Sequence, residues 1–317
     1  MKFYRKNNQN DIGFGEKSYN KGSRLINSDG SFNVKRSGVP YISISDMYHT
    51  LITISWGRFI FLITAVFVLT NLFFASVYMF CGVDQITSIV KGNGWSNFWD
   101  AFYFSSQTLT TVGFGYFAPI GDHAKIIASV EAFIGVLGFA LATGVLYGRF
   151  ARPGTRIRYS KNALIAPYQE GSGLMFRIVN LRNNHLIELE VRVTITWLNK
   201  ETNKREYDGL NLERKSINLM PLSWTIVHPI DEESPLYGKN MQQLLSTDTE
   251  IIILIKAFDE SFSQIVYDKR SYRADEFVYG AKFISIIKDT GEGMVQLDID
   301  NIDRYEEVSL NSPLVNA

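Results

Sequence analysis

Apolar and polar positions alternate on several length scales along this chain. Residues 59–81 contain no Asp, Glu, Lys or Arg, and residues 126–148 contain one charged residue, Glu131. Each run covers 23 residues. As a helix that is about 34 Å, enough to cross a hydrocarbon core of about 30 Å. Two membrane-spanning helices are therefore expected, the alternative being a soluble protein with two buried helices. A signal peptide does not fit the first run, which starts near residue 59 and is too long. Residues 95–110 form a shorter amphipathic stretch, with Ser96 as a plausible N-cap. Residues 45–56 place Met47, Leu51, Ile52 and Ile54 on one face, with Tyr48 and Trp56 as interface aromatics and Asp46 as a candidate cap. That pattern predicts a helix lying on a leaflet; an N-terminal extension of the first span is the alternative. From about residue 160 the period drops to two. Val191, Val193, Ile195 and Trp197 alternate with polar residues, and 251–255, 277–279 and 283–287 are further strand candidates. Gly and Asn turns between short runs predict an antiparallel sandwich. Residues 1–40, rich in Asn, Ser, Gly and Lys, are expected to be loosely attached.

Lys and Arg (32) balance Asp and Glu (32), so only the distribution of charge is informative. Lys2, Arg5, Lys6, Lys17, Lys21, Arg24, Lys35, Arg36 and Arg58 precede the first span. Arg149, Arg152, Arg156, Arg158 and Lys161 follow the second, while the intervening segment has only Lys91 and Lys125. The positive-inside rule puts both termini in the cytoplasm and the central loop outside. Cys81 is the only cysteine, so no intrachain disulfide forms. His49, His123, His185 and His228 are scattered without metal-ligand spacing, and no Gly-x-Gly-x-x-Gly opens a helix. Asp231, Glu232 and Glu233 fit solvated charge at a subunit contact better than acid–base chemistry. An enzyme finds little support.

The amphipathic stretch ends in Thr111-Val112-Gly113-Phe114-Gly115. This is closely similar to the Thr-Val-Gly-Tyr-Gly loop whose carbonyls replace the water around K+ in potassium channels. Aiming successive carbonyls at one axis requires the backbone to alternate hand, which Gly113 and Gly115 permit. Thr111 adds a hydroxyl oxygen. Val112 and Phe114 are expected to pack the loop from behind. The stretch before it suits a re-entrant helix, which is tolerated at membrane depth when buried in protein. Its carbonyl end would favour a cation. In the second span Phe139, Thr143 and Tyr147 recur every four residues, a candidate pore lining with Tyr147 as a hydrophobic gate. The alternative is packing against lipid or core. Gly135 suits a hinge or close helix packing. Glu131 is an intramembrane carboxylate, a functional candidate that could brace the filter from behind or serve structure alone.

The order of elements resembles the inward-rectifier potassium channels, their prokaryotic branch above all. Asp46-Met47-Tyr48-His49 with Ile54-Ser55-Trp56 is similar to the slide helix. The filter and Gly148-Arg149-Phe150-Ala151-Arg152-Pro153 match as well. So do Arg177 to Arg182, His185 to Glu188 and, most specifically, Thr225 to Tyr237. The resemblance covers about residues 45–305. It implies a two-transmembrane-helix potassium-channel pore with a re-entrant pore helix, followed by a cytoplasmic immunoglobulin-like β-sandwich. The domains would be 1–44, a flexible cytoplasmic N-terminus; 45–152, slide helix and transmembrane pore; and 153–317, the regulatory sandwich.

The resemblance further implies a homotetramer in the plasma (cell inner) membrane. Its gate would lie at the inner-helix bundle, coupled to the slide helix and the cytoplasmic domain. K+ ions would occupy the filter, with no organic cofactor and no nucleic acid. Arg149, Arg152, Arg156 and Arg182 match basic positions that meet anionic, phosphoinositide-like headgroups; plain positive-inside anchoring is the competing account. Glu188 matches an acid of the cytoplasmic pore. Phe139 and Ile284 stand where strong rectifiers carry acids, so Mg2+ or polyamine block should be weak. Gln107 and Phe117 replace a Glu–Arg salt bridge around the filter, and Phe114 replaces the usual Tyr. A transporter subunit, which would need four such repeats, and a membrane-anchored binding module with a vestigial pore are the rival readings.

Overall fold

The computed structural model describes residues 24–35, 38, 44–89, 92–152, 154–220, 223–289 and 295–310. They fall into two compact units. One is Gly38–Arg152; the other joins the described residues before it to those after it.

The first unit is helical. Helix α1 (Ile44–Thr53) is separate from α2 (Trp56–Cys81), because Ser55 adopts an extended conformation (φ −60°, ψ 151°) between them. The leaflet segment is thus a helix of its own. Asp46 lies in its first turn instead of capping it, since the helix begins two residues earlier; there its charge still meets the positive helix end. Leu51, Ile52 and Ile54 are half-buried, whereas Met47 is exposed. Helix α3 (Gly94–Leu109) starts ahead of Ser96. Asn93 is the cap, accepting the Trp95 amide on its side-chain oxygen at 3.4 Å, and Asn caps as well as Ser. Helix α4 (Asp122–Phe150) is continuous over 29 residues.

Both long helices are apolar enough to cross a membrane. Phe61 (74%) and Leu141 (72%) are among many large apolar residues they expose. A helix in a soluble core would bury such side chains, so their exposure favours the membrane over the soluble alternative. Phe74, Ala75 and Tyr78 of α2, Ala101 and Phe104 of α3, and Ala124 and Ala128 of α4 form the buried contact of the three helices.

The second unit is a sandwich of two five-stranded sheets. One contains β1 (Ile157–Tyr159), β2 (Ala163–Tyr168), β3 (Gly171–Asn180), β7 (Ser223–Ile230) and β10 (Phe277–Tyr279). The other contains β4 (Leu186–Asn199), β5 (Lys204–Gly209), β6 (Ser216–Leu219), β8 (Glu250–Asp259) and β9 (Gln264–Arg273). A short helix, α5 (Met241–Ser246), precedes β8. Leu174, Phe176 and Ile178 of one sheet share a core with Val191, Val193, Ile195, Ile251 and Ile253 of the other. The period-two pattern therefore buries the residues it should.

Three features depart from the sequence-based expectation. The β2–β10 pairing is parallel, although the pattern predicted an antiparallel sandwich; a single short strand returning after a long connection carries no sequence mark of its direction. The run 283–287 is split between β11 (Ala281–Phe283) and β12 (Ile287–Asp289). Residues 24–35, expected to be loose, pack on the sandwich. Leu25 and Ile26 are each 3% exposed and cluster with Ile252. Their amides donate to the buried Glu250 carboxylate at 3.1 and 3.4 Å. Arg24 pairs with Glu276 at 3.0 Å, and Lys269 Nζ stands 3.7 Å above the Phe32 ring. Two apolar residues and one arginine tie down a segment whose average composition is that of a flexible tail. The rest of residues 1–40, apart from Gly38, lies outside the described residues.

Candidate functional site

The last turn of α3 delivers the chain into residues 111–115. Thr111, Gly113 and Gly115 have φ of +59°, +55° and +85°. Val112 and Phe114 between them do not, so the hand alternates residue by residue. A Cβ built at Gly113 or Gly115 meets nothing within 4 Å, so backbone conformation, not space, selects glycine there. The sequence marks Thr111 for its carbonyl and hydroxyl oxygens, not for a left-handed backbone. Its left-handed φ is an addition, and in a residue branched at Cβ it is a strained one.

Gln107 organises the back of this loop. Its carbonyl accepts the amides of Val112 (3.0 Å) and Gly113 (3.2 Å). Its side-chain oxygen accepts the Phe114 amide at 3.2 Å, and its Nε2 donates to the Phe117 carbonyl at 3.1 Å. Three consecutive N–H groups are drawn to one residue. Among the described residues no hydrogen bond ends on the carbonyls of Thr111, Val112, Gly113 or Phe114. A loop with its donors satisfied behind and its oxygens unpaired in front suits a dehydrated cation. Gln107 and Phe117 stand where the resemblance places a Glu–Arg salt bridge. The side-chain amide instead spans the two positions by binding main chain. Val112 is 54% and Phe114 83% exposed on this chain.

The outgoing limb is fixed separately. Thr87 and Ala118 exchange bonds, with the Thr87 amide on the Ala118 carbonyl (2.8 Å) and the Ala118 amide on Thr87 Oγ1 (2.7 Å). Gly135 lies in α4 where a Cβ would come within 2.0 Å of the Leu109 carbonyl oxygen. Of the two roles open to it, the structure supplies close packing: α4 runs unbroken through it, and the end of α3 rests on it.

Phe139 (77%) and Tyr147 (74%) are strongly exposed on this chain, and Thr143 between them is exposed too. They form one face of α4. Two residues beyond Tyr147, Arg149 reaches α1. Its guanidinium donates to the carbonyls of Leu51 (2.5 Å) and Ile54 (2.8 Å) at the end of α1, and lies 4.6 Å from the Trp56 ring and 4.4 Å from the Phe59 ring. The carbonyls left over at a helix C-terminus attract a cation, and this one is supplied by α4. Tyr48 of α1 fits against Gly148, whose Cβ would stand 2.8 Å from its hydroxyl. Arg152 and Arg156 are exposed. Arg182 is half-buried, its guanidinium 5.9 Å from the Phe262 ring.

In the sandwich, Glu188 is exposed with φ +51°, at a bulge where the β4–β8 register shifts between Ile187 and Glu190. Bulges re-aim side chains out of the ladder. Ile284 is half-buried and its carbonyl accepts Arg177 at 2.9 Å. Asp231, Glu232 and Glu233 are exposed. His228 is buried, with Nδ1 2.6 Å from the Asn211 carbonyl and Nε2 2.8 Å from Ser234 Oγ. Burial lowers its pKa from the ordinary histidine value, offset in part by the Asn211 carbonyl and by Asp231. Among the described residues no cluster of His, Cys, Asp and Glu could hold a metal.

Residues 50–152 match a family model described as ion channel, and residues 157–316 match the inward rectifier potassium channel C-terminal domain. The inward rectifier potassium channel Kirbac3.1 of Paramagnetospirillum magnetotacticum is 36% identical over 282 residues, 87% of this chain and 93% of that protein. The chain belongs to the inward rectifier potassium channel family. Animal relatives are more distant. The inward rectifier potassium channel irk-1 of Caenorhabditis elegans is 27% identical over 88% of this chain, which spans 56% of that protein. The bovine G protein-activated inward rectifier potassium channel 4 is 26% identical over 89% of this chain and 73% of that protein. The family is one of membrane ion channels and not of enzymes, and it carries a pore domain followed by a β-rich C-terminal domain, in agreement with the two units here.

Proposed function

We propose that this inward rectifier family member conducts K+ passively through a homotetrameric pore, with Thr111, Val112, Gly113, Phe114 and Gly115 of each subunit as the selectivity filter. The observation that carries the proposal is the alternating backbone of residues 111–115, with its amides bound by Gln107 and its carbonyls unpaired. Four such loops around one axis supply rings of oxygens in place of water, with the Thr111 hydroxyls at the inner end. The exposed side chain of Phe114 packs against the neighbouring subunit. Both termini lie in the cytoplasm of a multi-pass plasma-membrane protein.

Tyr147, with Phe139 and Thr143 above it, lines the inner pore and closes it by bringing four aromatic rings together. Arg149 joins the same helix to the slide helix, so motion of one is felt by the other. Gly135 serves as a packing point for the pore helix and as the place where α4 bends on opening. Arg152, Arg156 and Arg182 meet anionic headgroups, each worth about 1 kcal/mol towards an anionic leaflet. Arg149 is left out of this set because two of its guanidinium nitrogens donate to carbonyls at the end of α1 and the group lies against the Trp56 and Phe59 rings. Glu188 lines the cytoplasmic part of the path. With Phe139 and Ile284 apolar, Mg2+ and polyamine block is weak. K+ efflux from liposomes of neutral lipid, with and without added anionic lipid, tests this reading. Flux above protein-free vesicles that changes with anionic lipid supports it, and flux equal to protein-free vesicles in both overturns it.

A further inference from the structure

Glu131 is fully buried in α4 and takes no part in the conduction path described above. Its two carboxylate oxygens serve two different helices. Oε2 accepts the Tyr78 hydroxyl of α2 at 2.6 Å, and Oε1 accepts the Ser105 hydroxyl of α3. Ser105 Oγ also lies 2.9 Å from Oδ1 of Asn71, whose amide donates to the Phe67 carbonyl at 2.8 Å. All of Asn71, Ser105 and Glu131 have no exposed surface, and Tyr78 has 1%. In a hydrocarbon setting such a cluster is costly unless every member is satisfied, so its geometry is tightly determined.

The spacing matters as much as the bonds. Glu131 and Gly135 are four residues apart on α4, and their partners Ser105 and Leu109 are four apart on α3. One turn of the inner helix is therefore keyed to one turn of the pore helix, by a hydrogen bond at one end and a van der Waals contact at the other. Leu109 is the last residue of α3, and Gln107, which binds the amides of the filter, lies between the two contacts. A shift of α3 along or about its axis would carry Gln107 and the loop with it.

We infer that Glu131 is a positioning residue for ion selectivity: by bridging the Tyr78 and Ser105 hydroxyls it fixes the register of the pore helix and so the spacing of the filter carbonyls. This inference rests on the filter assignment proposed above. A residue that mattered only for folding would alter the amount of channel recovered and leave the selectivity of the recovered channels unchanged.

The experiment measures the K+/Na+ permeability ratio of tetramer-sized channels reconstituted in liposomes, alongside the recovered amount. Wild type, Glu131→Ala, Glu131→Gln, Ser105→Ala and Tyr78→Phe are compared, with the double variant Glu131→Gln, Ser105→Ala. The expected results are a ratio lowered about threefold or more by Ser105→Ala, consistent with loss of one buried hydrogen bond, and a greater loss in Glu131→Ala. Partial rescue in Glu131→Gln is expected, with a double variant no worse than its more affected parent, because both changes break one contact. Should Glu131→Ala fail to assemble, Ser105→Ala and Tyr78→Phe, each losing one hydroxyl, decide the matter. A selective wild type with unchanged ratios in the variants overturns the inference alone; a wild type without K+ preference overturns the filter assignment beneath it.

Discussion

The side-chain oxygen of Gln107 accepts the Phe114 amide at 3.2 Å, while the Nε2 of the same side chain donates to the Phe117 carbonyl at 3.1 Å. One neutral side chain thus bridges the two limbs of the filter loop. Replacing Gln107 with Ala leaves the part-buried Phe114 amide and Phe117 carbonyl without these partners, at a cost below the about 1–3 kcal/mol of a fully buried group. The expected outcome is a less thermostable channel with reduced K+ preference, measured by melting in detergent and by ion flux. Wild-type melting and wild-type preference together would show that the bridge contributes nothing.

Gly113 has φ +55°, and a Cβ there would strike nothing. Gly113→Ala therefore acts through backbone strain, about 1–2 kcal/mol per residue. The carbonyl of residue 113 turns away from the axis to relieve it. Liposome flux of K+ is expected to fall to the protein-free level while assembly persists. Normal flux in assembled Gly113→Ala channels would contradict the role given to this glycine.

Arg149 fixes the C-terminal end of α1 with two nitrogens on two carbonyls, a geometry that Lys cannot reproduce. Arg149→Ala should loosen the slide helix and shift open probability, with Arg149→Lys intermediate. Hydrogen exchange over residues 50–55 reads the first effect and single-channel recording the second. Unchanged protection in Arg149→Ala would show the clamp to be dispensable.

His228 contributes a pH dependence whose sign follows from its burial. Its folded-state pKa is lowered, so the unfolded chain binds the proton more readily. Stability is then full above the unfolded value of about 6.5 and falls as the pH drops below it towards the folded value. The melting temperature of the sandwich is expected to decline on acidification through that range, and His228→Gln is expected to flatten the decline. An equal slope in the variant would assign the effect to other groups.

Much of this arrangement is legible in the sequence because it obeys simple periods. Two uninterrupted apolar runs mark α2 and α4, and alternation through Val191, Val193 and Ile195 marks the buried face of β4. Gly113 and Gly115 announce left-handed positions because glycine is the residue that adopts them freely. What escaped the sequence depends on partners distant along the chain or on residues used against type. Thr111 is left-handed although branched at Cβ, in a turn where the Thr108 carbonyl accepts its amide and the Gln107 carbonyl the next two. Arg149 looks like any juxtamembrane cation until Leu51 and Ile54, almost a hundred residues away, are seen to take its donors. The attachment of residues 24–35 depends on Glu250, which lies more than two hundred residues later. The close packing of Gly135 needs the position of Leu109 to be seen.

The central claim is that the filter oxygens of four subunits replace the water of K+ better than that of Na+. The reversal potential of purified channels in a planar bilayer, with KCl on one side and NaCl on the other, tests it most directly. The account predicts a potential close to the K+ equilibrium value, shifted towards zero by Gly113→Ala wherever residual current remains. A wild-type potential near zero, with Na+ passing as freely as K+, would contradict it.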